Sequence, residues 1–425
     1  MRDTGSLLAA AGKLAVGSIA GYAVVVVLTP VLTRLYSPAD LGAFSIVAAF
    51  VGVLPPLLTL GYHFGQLSAR NRSESARFAS SALVLSSVVG VALLIVGLSI
   101  AHVVSLSSQF SWAVVSALVC GLAAVSSSVA VNWAIRQGRE GRAAWATFMN
   151  LGGRAVFQTG AGVTIGGVQG LVIGEVLGRG VAWAVAELGM YRVAIRRAVF
   201  RRRWVKRHVA SQRNYPLVLT PALTAENLLV WLPAPVFAFA FGPDVGGFFA
   251  LVQRFASVPL TVANQSLAAL FHRELVGRYA ADHPRVRRLL VMLAAIVAVC
   301  VVPLSAGFEV YGGALAGRLF GGEEWIGTAT VAAAFVPVCA AQFLCLFTDR
   351  ILLVAGRNGV KLAFLACALA MMFIVAVAAV FFGWSWQEAV WAYSVSQTLV
   401  YLSLFGNVIR SFGGRGHQDI PEEGK

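Results

Sequence analysis

Charged residues are scarce in this chain. Only 12% of its 425 residues are charged and 58% are apolar, whereas soluble globular domains carry about 25% charged residues. This composition excludes an ordinary soluble enzyme. The net charge of +15 does not indicate a nucleic-acid partner either, because nucleic-acid-binding proteins place their basic residues on a water-exposed face. A polytopic membrane protein is the class that remains.

Reactive side chains and large loops are also lacking. The five cysteines lie in apolar stretches without metal-ligand spacing, and the six histidines lie in loops or at the ends of segments. No Gly-rich motif with a lysine is present to cradle phosphates, which argues against ATP hydrolysis by this chain. No loop between apolar runs is long enough to form a catalytic domain. We therefore expect no metal, no cofactor and no enzymatic activity.

Long apolar runs dominate what is present. Twelve of them approach the length of about 20 residues that a helix needs to cross the hydrocarbon core. They do not alternate with a period of two, as the strands of a membrane barrel would. The sequence therefore predicts an all-α polytopic membrane protein with about 12 transmembrane helices. The predicted spans are Leu14–Leu32, Leu41–Leu60, Ala79–Ala101, Trp112–Val131, Trp145–Ile165, Val168–Gly189, Leu217–Phe241, Phe248–Phe271, Leu289–Val310, Ile326–Thr348, Leu362–Phe382 and Gln387–Val408.

The positive charges are distributed unequally between alternate loops. If the N-terminus is cytoplasmic, 28 of the 33 Lys and Arg residues fall in the inner segments. The outer loops hold only Arg34 and Arg318, and three further arginines lie within spans. Because Lys and Arg concentrate on the cytoplasmic side of membrane proteins, both termini are predicted to be cytoplasmic.

A basic segment at residues 191–216 separates six predicted spans from the other six. It carries nine Lys and Arg residues, and we expect it to lie on anionic lipid head groups. A shift of 205 residues superposes Pro38 on Pro243 and Gly42 on Gly247, which indicates an internal repeat about an axis along the membrane normal. The expected domains are an N-terminal six-helix bundle (1–190), the basic linker (191–216), a C-terminal six-helix bundle (217–408) and a cytoplasmic tail (409–425).

A few ionisable residues lie within the spans or at their outer ends. Such residues are costly in hydrocarbon unless they are paired or hydrated, so each is a candidate for substrate binding. Glu175 and Arg179 share one helix face. The alternative to substrate binding is that they form an internal neutral pair, which Arg154 can join. The candidates are Arg34 at the end of span one, Arg154 in span five, Glu175 and Arg179 in span six, Glu226 in span seven and Arg254 in span eight.

Three segments resemble a known family of membrane proteins. Leu28–Phe44 resembles the first hairpin of the Wzx-like polysaccharide and O-antigen flippases, Phe241–Leu251 resembles their turn between spans seven and eight, and Gln212–Pro216 resembles the segment that enters span seven. These flippases belong to the multidrug/oligosaccharidyl-lipid/polysaccharide (MOP) exporter superfamily. The resemblance implies a MATE/MOP-like fold of two six-helix bundles in the bacterial cytoplasmic (inner) membrane.

The resemblance also implies a function and partners. Its members carry undecaprenyl-diphosphate-linked oligosaccharide across the cytoplasmic membrane by alternating access, for surface polysaccharide biosynthesis. The implied partners are this lipid-linked oligosaccharide, the membrane lipids, a glycan polymerase and glycosyltransferases.

The resemblance ranks the site candidates by span. It implies that spans one, seven and eight line the cavity more often than five and six, which favours Arg254 for the diphosphate and Glu226 for proton coupling. Arg34 is either a contact at the outer mouth or a head-group anchor. Uncharged polar residues of spans seven and eight suit sugar hydroxyls or only join helices: Asn227, Gln253, Asn264 and Gln265.

Two other function classes and a structural role compete with this interpretation. A MATE-type ion-coupled antiporter of drugs or small molecules would favour acidic groups in its cavity, yet span one carries no carboxylate. A membrane enzyme of glycan assembly is disfavoured by the missing outer loop. A purely structural scaffold would not need charges in the middle of the membrane. The balance of charge favours transport of an anionic substrate.

Overall fold

The computed structural model describes residues 4–69, 71–103, 108–187, 215–279, 283–354 and 358–411, together with residues 189, 209 and 212. Regular structure within these ranges is helical, and they contain no strand. Most of the predicted linker and tail lies outside them. The helices are α1 Thr4–Leu35, α2 Pro38–Thr59, α3 Tyr62–Ser68, α4 Arg72–Val103, α5 Ser108–Arg136, α6 Glu140–Phe148, α7 Arg154–Thr164, α8 Gly167–Ala186, α9 Thr220–Trp231, α10 Pro233–Phe241, α11 Pro243–Tyr279, α12 His283–Phe320, α13 Thr328–Val354, α14 Asn358–Phe382 and α15 Trp386–Ser411.

Every predicted apolar run overlaps one of these helices or a consecutive pair. Within the described residues, eight helices are long and apolar enough to cross a membrane, judged by length and composition. A ninth span is added if Tyr215–Trp231 and Pro233–Phe241, which meet at a bend of 49°, are counted as one. The all-α, multi-pass fold class is therefore confirmed, while the count of twelve spans stays a prediction.

The described contacts divide the chain into two compact units. The first comprises Met1–Phe255 and Ala314–Gly327, and the second comprises Ala256–Gly313 and Thr328–Lys425. The first unit thus contains α1 to α10 and the beginning of α11. The expected division into bundles at 1–190 and 217–408 stays a prediction.

Glycines on α8 let it pack against α7 without intervening side chains. Gly170, Gly174 and Gly178 recur every four residues and so share one helix face. A Cβ atom built on Gly174 would lie 2.5 Å from the backbone of Gln158, and one built on Gly178 would lie 2.5 Å from the side chain of Arg154. Small residues allow this close approach of membrane helices, and it brings the polar groups of α7 next to those of α8.

Span five contains a π-helical turn, Met149–Gly153, between α6 and α7. Such turns are rare and frequently occur at functional sites. The carbonyl oxygen of Asn150, within this turn, accepts a hydrogen bond from Nε of Arg154. Spans five and six are then separated at Gly166 and Gly167, whose φ angles of 69° and 55° are positive. The predicted break at these two glycines is confirmed.

The first turns of α2 and α11, which the sequence relates by a shift of 205 residues, contact each other. A Cβ atom on Gly42 would lie 1.8 Å from the carbonyl oxygen of Pro243. Conversely, one on Gly247 would lie 2.0 Å from the carbonyl oxygen of Pro38. Each glycine therefore faces the proline that begins the other helix. A two-fold axis generates such reciprocal contacts, so the packing agrees with the repeat.

Two buried aromatic side chains hold the end of α1. The hydroxyl of Tyr36 donates a 2.8 Å hydrogen bond to the carbonyl oxygen of Gln158 on α7. Nε1 of Trp325, in the 3₁₀ turn Glu323–Trp325, donates a 3.1 Å hydrogen bond to the carbonyl oxygen of Thr33. The end of α1 is thereby tied to α7 and to the turn that precedes α13.

Helices of the second unit are joined by side-chain-to-backbone hydrogen bonds. Nε2 of Gln397 on α15 donates to the carbonyl oxygen of Ala368 on α14 at 2.8 Å. Oγ of Ser305 on α12 donates to the carbonyl oxygen of Ala333 on α13 at 2.7 Å. Polar side chains commonly join membrane helices in this way.

Replacing Gly42 by alanine should destabilise the fold. The added methyl group would overlap the backbone of Pro243, and overpacking of this kind costs about 1–3 kcal/mol. We expect a lower midpoint of thermal unfolding for purified Gly42→Ala in detergent. Gly160→Ala is the matched control, because this exposed helical glycine has no atom near its Cβ position. If both substitutions lowered the midpoint of thermal unfolding equally, the α2–α11 contact would not contribute to the stability of the fold.

Candidate functional site

Five polar side chains form one connected group in the first unit, here called the ion cluster. Two come from α7, two from α8 and one from α11, so three helices of the unit meet there. Five of the six residues discussed as site candidates were expected inside spans, and four of these belong to the cluster. Its members are Arg154, Gln158, Glu175, Arg179 and Arg254.

Glu175 is the centre of the ion cluster. Its Oε1 lies 2.8 Å from Nη1 of Arg154 and 2.7 Å from Nη2 of Arg179. Nε of Arg179 also donates to Oε1 at 2.8 Å. The Glu175 side chain is only 5% exposed, against 22% and 12% for Arg154 and Arg179. The predicted pair of Glu175 and Arg179, with Arg154 joining it, is therefore present.

Gln158 connects this ion pair network to α11. Its Nε2 lies 3.4 Å from Oε2 of Glu175 and 3.4 Å from the carbonyl oxygen of Leu171. Its Oε1 accepts a 2.5 Å hydrogen bond from Nη2 of Arg254. Span eight thus contributes a guanidinium to a cluster that is otherwise built on spans five and six.

The ion cluster lies well inside the predicted hydrocarbon core. Glu175 is eight residues from the start of α8 and Arg254 is eleven from the start of α11, which places them about 12 and 17 Å from the predicted outer ends of those helices. Three guanidinium groups face one carboxylate, so the five residues carry a formal charge of +2. Side chains with this formal charge suit an anion better than a cation.

The two other charged candidates, Arg34 and Glu226, lie on α1 and α9. Arg34 is exposed at the C-terminal end of α1, where its stem packs against Gly321. Glu226 is half-buried on α9. The ranking by span separated Arg254 from Arg154, Glu175 and Arg179, but the structure brings all four together.

Two of the four uncharged polar candidates have side chains in the described part of the chain. Gln253 donates its Nε2 to the carbonyl oxygen of Val230 at 2.9 Å, which joins α11 to α9. Asn227 is half-buried on α9. The side chains of Asn264 and Gln265 lie outside the described part of the chain.

Gln158 carries no charge and so escapes a search for ionisable residues in the spans. It is nevertheless 1% exposed and contacts both Glu175 and Arg254. Its position four residues after Arg154, on the same face of the helix, is the signal that points to it. A glutamine in an apolar run beside a charged residue is a candidate member of the same network.

The family follows from comparison with known proteins. A family described as polysaccharide biosynthesis protein matches residues 31–330. The chain belongs to this polysaccharide biosynthesis protein family. The match covers most of the first hairpin, the whole ion cluster and the turn between spans seven and eight, and the resemblance noted in the sequence is confirmed.

Solved structures of MOP superfamily proteins share the fold of this family member. An inward-facing MATE family multidrug resistance transporter aligns with a TM-score of 0.67 and 13% identity over 93% of this chain and 94% of the other. The lipid II flippase MurJ, in an inward closed conformation, aligns with a TM-score of 0.68 and 12% identity over 93% and 89%. A MOP superfamily transporter from Pyrococcus furiosus aligns with a TM-score of 0.53 and 13% identity over 95% of both chains.

These alignments confirm a MOP-type helical membrane fold for this polysaccharide biosynthesis family protein. At 12–13% identity they concern the fold alone. MATE and MurJ structures match about equally well, so the fold does not separate drug transport from lipid-linked substrate transport. No curated protein sequence matches the chain.

Replacing Glu175 by glutamine should strongly destabilise this family member. It would leave the guanidinium groups of Arg154 and Arg179 without their shared carboxylate, and breaking a buried ion pair costs about 3–5 kcal/mol. We expect a large fall in the midpoint of thermal unfolding in detergent. Glu324→Gln, at an exposed position, is the control and should change little. A Glu175→Gln protein as stable as its parent would show that the ion pairs do not hold the helices.

Proposed function

We propose that the protein is a flippase that moves undecaprenyl-diphosphate-linked oligosaccharide from the inner to the outer leaflet of the bacterial cytoplasmic membrane. The observation that carries this proposal is the excess of positive charge in the ion cluster. Membership of the polysaccharide biosynthesis protein family supports the glycan pathway. The protein would act by alternating access, and it would perform no covalent chemistry.

An anionic diphosphate must be stabilised while it crosses hydrocarbon. An unpaired charge in a medium of low dielectric costs many kcal/mol, and the guanidinium is suited to phosphate because it donates hydrogen bonds in a bidentate geometry. Arg254 is half-buried and lies within the predicted span eight. It is therefore the cluster residue that we assign to the diphosphate.

The proposed partners follow from this substrate. MurJ, which shares the fold, is named a lipid II flippase, and by analogy the present protein would take a lipid-linked glycan from the membrane. Glycosyltransferases would supply the substrate on the cytoplasmic side. A glycan polymerase would use the flipped product on the outer side.

A MATE-type antiporter is the second candidate, because a MATE transporter matches the fold as well as MurJ does. Coupling to a cation at the ion cluster would require Glu175 to exchange its guanidinium partners for that cation. Oε1 of Glu175 already lies within 2.8 Å of two arginines, and both positive charges would repel an incoming cation. The charge of the ion cluster therefore favours an anionic substrate.

Replacing Arg254 by alanine should abolish export while leaving the protein in the membrane. The substitution removes the proposed diphosphate contact. Surface polysaccharide in living cells, scored at equal protein level, is the measurement, and we expect a loss of at least about tenfold. Arg318→Ala, which removes an exposed arginine, is the matched control and should export normally. Unimpaired export by Arg254→Ala would reject Arg254 as the phosphate contact.

Replacing Glu226 by glutamine tests proton coupling. A carboxylate on span seven can bind and release a proton, whereas glutamine of the same size cannot. We expect Glu226→Gln to slow export and to flatten its dependence on external pH. Transport with an unchanged pH profile would remove Glu226 from the coupling mechanism without affecting the assignment of Arg254.

A further inference from the structure

We infer that Gln158 is a positioning residue that holds the guanidinium of Arg254 in the empty protein and hands it over to the diphosphate of the substrate. This inference rests on the proposed function. It concerns a residue that neither the charge pattern nor the family assigns.

The surrounding contacts set the orientation of the Gln158 amide. Its nitrogen faces two acceptors, Oε2 of Glu175 and the carbonyl oxygen of Leu171, both at 3.4 Å. Its oxygen faces a donor, Nη2 of Arg254, at 2.5 Å. Rotating the amide by half a turn would place its N–H groups against a guanidinium, which has no acceptor. The side chain therefore has one favourable orientation here.

The hydrogen bonds that join the three arginines to the ion cluster differ in the charge of their acceptors. Arg154 and Arg179 each bond to the carboxylate of Glu175, whereas the bond that ties Arg254 to the cluster is made to a neutral amide oxygen. Hydrogen bonds between ions are stronger than those with a neutral partner. A phosphate oxygen can therefore replace Gln158 at Arg254 more easily than it can replace Glu175 at the other two arginines.

The backbone that carries Gln158 is held firmly. Its carbonyl oxygen accepts the hydrogen bond of Tyr36 at 2.8 Å, and Gly174 packs directly on its backbone atoms. The side chain is 1% exposed. Gln158 thus provides a fixed acceptor on α7 against which the guanidinium on α11 is positioned.

Two substitutions of Gln158 separate this role from simple packing. Gln158→Glu keeps the size but turns the acceptor into a carboxylate, which would pair with Arg254 and compete with phosphate. Gln158→Asn shortens the side chain by one methylene and withdraws the acceptor from Arg254. The first variant should weaken diphosphate binding, and the second, which withdraws the competing acceptor, should strengthen it.

The experiment measures binding of undecaprenyl diphosphate to the purified full chain in detergent, with thermal unfolding recorded for every variant. We expect the Kd of Gln158→Glu to exceed that of Gln158→Asn by about tenfold, which corresponds to about 1.4 kcal/mol. A ratio of about fivefold or more supports the inference, and a smaller ratio overturns it. If Gln158→Glu does not fold, the inference is decided by Gln158→Asn: tighter binding than that of the parent protein supports it, and equal or weaker binding overturns it.

A control and a reference variant keep this test separate from the test of the proposed function. Gln397→Glu places a carboxylate at an equally buried glutamine of the second unit and should lower stability without changing the Kd. Arg254→Ala should lose binding. If the parent protein does not bind undecaprenyl diphosphate, or if Arg254→Ala binds it normally, the proposed function fails. If both behave as expected but the Gln158 variants bind equally, only the role of Gln158 is rejected.

Discussion

The first unit depends on the burial of charge inside a hydrocarbon core. Glu175 is nearly inaccessible, and its single oxygen Oε1 serves two guanidinium groups from two helices. Such charges are tolerated only when they meet at hydrogen-bonding distance. The glycines of α8 satisfy this condition, because Gly174 and Gly178 bring the backbone of α7 within reach. The π-helical turn before α7 lies next to Arg154, and the carbonyl oxygen of Asn150 in this turn accepts a hydrogen bond from that arginine.

Under the proposed function, the same constraint would let a stabilising network also bind a substrate. The ion cluster contains three guanidinium groups and one carboxylate, so its five side chains carry a formal charge of +2. Arg154 and Arg179 are held by an ion and contribute to the fold, whereas Arg254 is tied to the network by a neutral amide. The network thus combines strongly held members with one that a phosphate can recruit. This arrangement fits a protein that must bind an anion and then release it.

Much of the fold followed from composition and periodicity, since helices are the only way for these apolar runs to satisfy their backbone in lipid. The break between spans five and six was predicted from Gly166 and Gly167 alone, and the structure shows that both adopt the positive φ that glycine tolerates. The ion pair of Glu175 with Arg179 was predicted from their spacing on one helix. The placement of Arg254 was not, because spacing along the chain reports contacts within a helix but not between α11 and α7.

The class of protein, the family resemblance and the charged residues within the spans all follow from the amino-acid sequence alone. Hydrophobicity and the distribution of Lys and Arg are additive properties of local segments, and they can be read without knowing the packing. The tertiary structure was needed to show that Arg154, Glu175, Arg179 and Arg254 share one cluster. It also revealed Gln158, whose role depends on which groups its buried amide meets, and those groups come from three different helices.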